Sequence, residues 1–351
     1  MGGWRLIGNS RAVNALASAV SSGSPARSYI FAGPERVGKA AAALRLAQAL
    51  NCAADDPPCL SCETCRRIGE AKFADALTVT VEAATDGPAL KAISVEQIRD
   101  VEATVALAPY EGRKRVVVID PAEEMSPGAQ NAFLKTLEEP PPHVAFVLVS
   151  ANADRLLETV RSRCRRVDFG LVAAAEIEAG LIERGTDAEQ AAVLARLAAG
   201  RPGWALEAAA TPALLAKRDE ALDAARSLAS TDLADRIDVA EKLSGAFKRD
   251  RTAVDETLAQ WLGWWRDVVL TQSGASDAIA NLDRQEEIAA DAERHDRAQV
   301  TAFIEALRET RQHLRANVQS RIALDALMLH VPTRRQGTWD RRQEGAPAAN
   351  T

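Results

Sequence analysis

The stretch SYIFAGPERVGKAAAALRLAQALNC, residues 28–52, constrains the fold more than any other. Ser28 to Gly33 reads as a short buried strand. A glycine loop follows, then a run of Ala, Leu, Arg and Gln, all good helix formers. Strand, glycine loop and helix in succession is the setting of a phosphate-binding loop, in which main-chain N–H groups at the helix start cradle an anion. The pattern is Gly, four free positions, Gly-Lys and then a hydroxyl residue. Gly33, Gly38 and Lys39 fit it, whereas Ala40 stands where a Ser or Thr would hold magnesium. The unit predicts an α/β module and leaves open whether its loop still works.

The neighbouring segments extend that module. RVVVID, residues 115–120, reads as a buried strand ending in Asp120, a position from which an aspartate holds magnesium in an active nucleotidase. In hydrolysing proteins a glutamate commonly follows and polarises water; here Pro121 follows, and Glu123 and Glu124 are expected to face elsewhere. Ser126 and Pro127 open a helix that the prolines after Glu139 stop. VAFVLVS, residues 144–150, is another buried strand. Ser94 and Gln97 form a capping box for a helix ending before Pro109. Asn9 or Ser10 would cap a helix carrying Val13, Leu16, Ala17 and Val20.

Beyond residue 170 the chain turns rich in Ala, Leu, Glu and Arg and loses its strand signals. Two short helices are expected there, the second with Thr186 and Glu189 as a capping box. Gly200-Arg201-Pro202 ends one helix and starts the next. Further on, Trp261, Trp264 and Trp265 crowd one apolar helix, and Leu314, Val318, Ile322 and Leu327 recur at helical spacing. Tryptophan and arginine favour interfaces; the alternative is a plain helical core. The last stretch, residues 336–351, lacks apolar periodicity and is expected to be disordered.

With 351 residues, 47% of them hydrophobic, two or three domains are expected. A net charge of −6 means that DNA contact would need a local patch or a partner. No apolar run suits a signal peptide or a membrane span, so the expected compartment is the cytoplasm.

Four of the five cysteines, Cys52, Cys59, Cys62 and Cys65, lie within fourteen residues. In a reducing compartment such clustering points to metal rather than disulfides. Four thiolates suit tetrahedral zinc and leave no position open for water, so the zinc would be structural. Cys164 stands apart and reads as a packing residue. It lies within RSRCRR, residues 161–166, whose four arginines read as a solvated basic face or a DNA-facing patch.

GPERVGKA, the cysteine cluster, VVVIDPAEEMSPGAQNAFLKTLEEPP and RSRC occur in this order, and together they resemble the clamp-loader branch of the AAA+ ATPases over roughly residues 5–335. The resemblance implies a parallel sheet with flanking helices over residues 1–170, with a zinc module at 52–65 inserted after the first helix of the nucleotide fold. A three-helix lid would follow over 171–212, then an oligomerising all-α collar over 213–335. It implies that Ser162, Arg163 and Cys164 place Arg163 at a neighbouring subunit's ATP site, as an arginine finger acting in trans. The second sensor arginine of active relatives falls at Gly203, with Arg201 offset by two. Gly33, Gly38, Lys39 and Asp120 would then be a degenerate nucleotide site, one that does not hydrolyse ATP with magnesium. The implied function is a non-hydrolysing subunit that works with motor and wrench subunits to load a sliding clamp on primer-template DNA. The alternatives are a hydrolysing motor subunit and a zinc-containing DNA-binding protein.

Overall fold

Helices and strands alternate from the start of the chain. In the computed structural model, which describes residues 3–81, 92–316 and 318–333, the order is α1 (Ser10–Ser21), β1 (Ser28–Ala32), α2 (Lys39–Asn51), α3 (Glu63–Gly69), β2 (Ala76–Val79), α4 (Val95–Val105), β3 (Arg115–Ile119), α5 (Pro127–Glu138), β4 (Val144–Ser150), α6 (Glu158–Arg161) and β5 (Arg165–Asp168). The strands form one five-stranded sheet in the order β2-β3-β4-β1-β5, with every neighbouring pair parallel.

Central strands of a parallel sheet are buried on both faces, which is why they read as unbroken apolar runs. Side chains alternate between the faces along each strand. Tyr29 and Phe31 join Leu16, Ala43 and Leu46 in the core under α1 and α2. Ile30 and Ala32 point the other way and pack with Ile98, Val101 and Phe133 of α4 and α5. The capping box of Ser94 and Gln97 is present, and Ser126 accepts the Ala129 N–H at the start of α5. These two caps fix where α4 and α5 begin.

Asn9 departs from expectation. It precedes α1 in the left-handed region (φ 52°) and makes no capping bond. Its carboxamide instead accepts from the Gly170 N–H at 2.8 Å and donates to the carbonyls of Gly170 and Val37, at 3.1 and 3.2 Å. It thereby ties the glycine loop to the chain leaving β5.

Three helices complete this part: α7 (Ala174–Ile182), α8 (Ala188–Leu197) and α9 (Pro202–Ala210). The cap of α8 is Asp187, whose carboxylate accepts from Glu189 N at 2.9 Å. Thr186 lies one residue too early, and a carboxylate is the stronger partner for the positive end of a helix. Pro202 occupies the first turn of α9, as expected.

Contacts divide the chain into two units, Met1–Thr211 and Pro212–Thr351. The second is helical: α10 (Pro212–Leu228), α11 (Leu233–Arg249), α12 (Arg251–Gln272), α13 (Gln285–Arg294), α14 (Arg297–Arg315) and α15 (Ser320–Met328). Trp261, Trp264 and Trp265 are all at most 1% exposed and form its core with Phe303, Leu307 and Leu324. They are packing residues, so the interface alternative for them falls away. The expected single stripe from Leu314 to Leu327 is also corrected. The chain breaks between α14 and α15, leaving Val318 and Ile322 exposed, while Ala323, Leu324, Leu327 and Met328 carry the buried face of α15. The expected disordered tail, 336–351, lies outside the described residues. Among the described residues no helix is long and apolar enough to cross a membrane.

Candidate functional site

Gly33 follows β1 with φ 146°, and a Cβ there would lie 1.9 Å from the Phe169 carbonyl oxygen, so only glycine fits. Gly38 precedes α2, whose first residue is Lys39. The Lys39 side chain is buried, and its ammonium donates to the carbonyls of Gly33 and Pro34 in its own loop. Burial pushes this ammonium below its ordinary pKa, and the carboxylates of Glu123, Asp120 and Glu35 partly offset that. Burial raises the Asp120 carboxyl; Lys39 draws it down and Glu123 adds to the rise. Lys39 and Asp120 are thus brought together, as the sequence suggested.

Glu123 was expected to face elsewhere, yet it joins them. It is 8% exposed, one carboxylate oxygen accepts the Ala151 N–H at 2.8 Å, and the other has no hydrogen-bond partner among the described residues. The turn after Pro121 returns the chain toward the loop, a reversal that the residue pattern did not signal. Glu124 does face outward, pairing with Arg155 at 2.8 Å.

The start of α9 meets the same loop. Gly203 donates its N–H to the Arg36 carbonyl at 2.8 Å, and a Cβ on Gly203 would stand 2.9 Å from that oxygen. The Arg36 guanidinium reaches Glu207 of α9 at 3.1 Å. At Gly203 the main chain is thus in contact with the loop, and a side chain there would need the backbone to shift.

The four arginines of RSRCRR separate. Arg161 pairs with Asp154 and Arg166 with Asp168, each at 2.7 Å, while Arg165 is exposed. Arg163 pairs with Glu138 at the end of α5. Cys164 packs against the sheet core under α4 and α5, and burial pushes its thiol up to about 12. It is not among the clustered cysteines.

Those four, Cys52, Cys59, Cys62 and Cys65, place their sulfurs within 4.8 Å of one another. A tetrahedron with zinc–sulfur bonds of 2.3 Å has edges of about 3.8 Å, so the group fits the ion. Main-chain N–H groups point at three sulfurs: Ala54 at Cys52, Cys62 at Cys59 and Cys65 at Cys62, at 3.5, 3.3 and 3.4 Å. Such donors favour thiolates. The Cys62 N–H leads in lowering Cys59 to about 6, whereas burial pushes Cys65 up to about 12. Cys52 caps α2, and Gln48 of α2 donates to the Cys65 carbonyl at 2.6 Å, so the cluster is anchored to the helix that Lys39 begins.

Comparison with known proteins agrees with these motifs. Residues 8–172 match the family described as "DNA polymerase III, delta subunit". The chain is 34% identical over 187 residues to DNA polymerase III subunit tau of Bacillus subtilis, covering 53% of this chain and 32% of that one. It is 28% identical over 357 residues to subunit gamma/tau of Mycobacterium tuberculosis, covering 92% of this chain and 59% of the relative. It therefore spans less than two thirds of either relative's length. A solved gamma subunit-related protein of Thermotoga maritima aligns with 91% of this chain and 98% of its own, with 17% identity and a TM-score of 0.43. In its ordered motifs and its match over residues 8–172, the chain is similar to the delta and gamma/tau subunits of DNA polymerase III.

Proposed function

We propose that this chain is the delta-prime-type subunit of a DNA polymerase III clamp loader, lending Arg163 to a neighbouring subunit's ATP site and hydrolysing no ATP itself. The observation that carries this reading is the seam between Gly203 and Arg36, where the chain has glycine and a side chain would press on the Arg36 carbonyl. Ala40 adds to it, because magnesium bridges the β- and γ-phosphates during transfer and a hydroxyl at this position is one of its ligands. Arg163 lies near the surface on a basic segment, where a planar cation can stabilise charge on a phosphoryl group across an interface. Fingers of this kind are worth roughly 10³–10⁵ in rate. The partners are the motor and wrench subunits, with the sliding clamp and primer-template DNA reached through the assembly. Zinc at the four cysteines is structural, and the compartment is the cytoplasm.

One observation favours a hydrolysing motor subunit instead: Glu123 stands beside Lys39 and Asp120 with an unpartnered oxygen. The two readings separate in one experiment. Purified chain is assayed for ATP turnover alone, and the reconstituted loader is assayed with Arg163→Ala. The proposal expects negligible turnover alone, and intact assembly with reduced clamp- and DNA-stimulated turnover in the variant. Turnover by the chain alone that disappears in Lys39→Ala would establish the motor reading.

A further inference from the structure

Arg163 does not project freely. One terminal nitrogen donates to the Thr159 carbonyl at 2.8 Å, the other pairs with the Glu138 carboxylate, and Nε is buried without a partner among the described residues. Both nitrogens at the tip, which a guanidinium would offer to a phosphate, are thus engaged within the chain.

The position of Glu138 is unusual for a carboxylate. It is the last residue of α5, followed by Glu139, with Lys135 the one basic residue of that turn. A negative charge at a helix C-terminus faces the negative end of the helix dipole and is disfavoured. Arg163 supplies the cation that compensates it. The pair is half-open to water, with side chains 31% and 50% exposed, so it is not a buried pair on which the fold depends. The helix beneath is firmly placed: Ser126 caps its start, and Gln130 accepts the Leu157 N–H at 2.8 Å while donating to Met125.

Resting on the finger reading above, we propose that Glu138 is a positioning residue that parks the Arg163 guanidinium against the end of α5 until a neighbouring subunit's phosphoryl group competes for the same N–H donors. A phosphoryl oxygen cluster carries more charge than one carboxylate and can accept both terminal nitrogens as a forked pair, where Glu138 takes only one, so it displaces Glu138 when the subunits close. Until then the carboxylate lowers the positive potential that the finger presents. The device restrains ATP turnover in a loader that has not yet engaged its clamp and DNA.

The test uses the complete loader, reconstituted with this chain as wild type, Glu138→Gln, Glu138→Asp, Arg163→Ala and the double variant Glu138→Gln/Arg163→Ala. Glu138→Gln is expected to raise unstimulated kcat by roughly 1.4- to 5-fold, the span of an exposed ion pair, with KM unchanged. Glu138→Asp should remain near wild type, and Glu138→Gln should do nothing once Arg163 is gone. If Arg163→Ala leaves turnover at the wild-type level, the finger reading itself fails. If Arg163→Ala lowers turnover but Glu138→Gln leaves unstimulated kcat unchanged or lowers it, parking is overturned and the finger stands. A rise of equal size in the Arg163→Ala background overturns parking as well. Melting curves of each full chain, expected to coincide, separate these outcomes from misfolding; if Glu138→Gln does not fold, Glu138→Ser replaces it.

Discussion

The main-chain N–H of Gly203 donates to the carbonyl of Arg36 at 2.8 Å, joining the first turn of α9 to the phosphate loop. A methyl group on Gly203 would press on that carbonyl oxygen at 2.9 Å, and backbone cannot swing aside as a side-chain tip can. Gly203→Ala should gain roughly 1 kcal/mol in helix propensity and lose roughly 1–3 kcal/mol to overpacking. The net effect is a loss of up to about 2 kcal/mol, and Gly203→Arg should lose more. Urea unfolding of the full chain measures both; a stabilised alanine variant would mean that the seam opens without cost.

Lys39 and Asp120 are both shifted by burial against their charged forms, the ammonium down and the carboxyl up. Groups shifted in this way single out the phosphate loop and the end of β3 as a candidate site. Under the proposed function, Lys39→Ala should leave the reconstituted loader's ATP turnover at the wild-type level, in contrast to Arg163→Ala. Under the same reading Ala40→Ser should restore no turnover to the purified chain, because position 203 still carries glycine and supplies no sensor arginine. A measurable gain from this one substitution would show that the missing hydroxyl is the sole defect.

How far the sequence revealed these sites depended on the kind of information each residue carries. Gly33, Gly38, Lys39 and the four cysteines were legible because spacing along one tight turn dictates their geometry. Strand β4 and the caps at Ser94 and Ser126 were legible because periodicity and local hydrogen bonding decide them. Glu123 was missed because a reversal of the chain after Pro121, not spacing, returns it to Lys39. The Arg36–Gly203 bond spans most of the first unit, and no local pattern encodes it. Glu138 did leave a trace, a carboxylate at the unfavourable end of a helix, but its partner lies 25 residues away.

Zinc at the cysteine cluster should be present at one ion per chain, released by chelator and lost in Cys65→Ser. Ligand binding to the folded state alone stabilises it by roughly 4 kcal/mol when free zinc is a thousand times its dissociation constant. Metal removal should therefore lower the melting temperature of the first unit. It should also fray the C-terminal turn of α2, which Cys52 caps and Gln48 ties to Cys65. Hydrogen exchange at residues 47–52 reads this directly, and protection unchanged after complete chelation would contradict it.

In the second unit, Trp265 packs edge-on against His295 and Phe303, with ring centroids 5.2 and 6.0 Å away. Trp265→Ala should cost about 3–5 kcal/mol by leaving a cavity in that core. Zinc content should not change, since the cysteines belong to the other unit. Calorimetry with metal analysis on the same sample tests both halves of the expectation.

Asp75 is fully buried at the foot of β2 and gathers the loop that leads into β3. Its carboxylate accepts the N–H groups of Tyr110, Glu111 and Gly112 at 2.8–2.9 Å and pairs with the Arg115 guanidinium at 2.8 Å. Burial alone would raise this carboxyl, but the three amides and the guanidinium outweigh it and hold it below the usual carboxylate range. A carboxyl depressed in the folded state gives stability that is present above its unfolded value of about 3.9 and disappears as pH falls through the folded value. Asp75→Asn leaves Arg115 buried without its counter-charge and should cost about 3–5 kcal/mol at neutral pH. The gap between wild type and variant should then narrow as pH falls below about 4. Urea unfolding at a series of pH values measures this gap. A gap that stays constant from pH 7 down to pH 2 would show that Asp75 acts through shape alone and not through its charge.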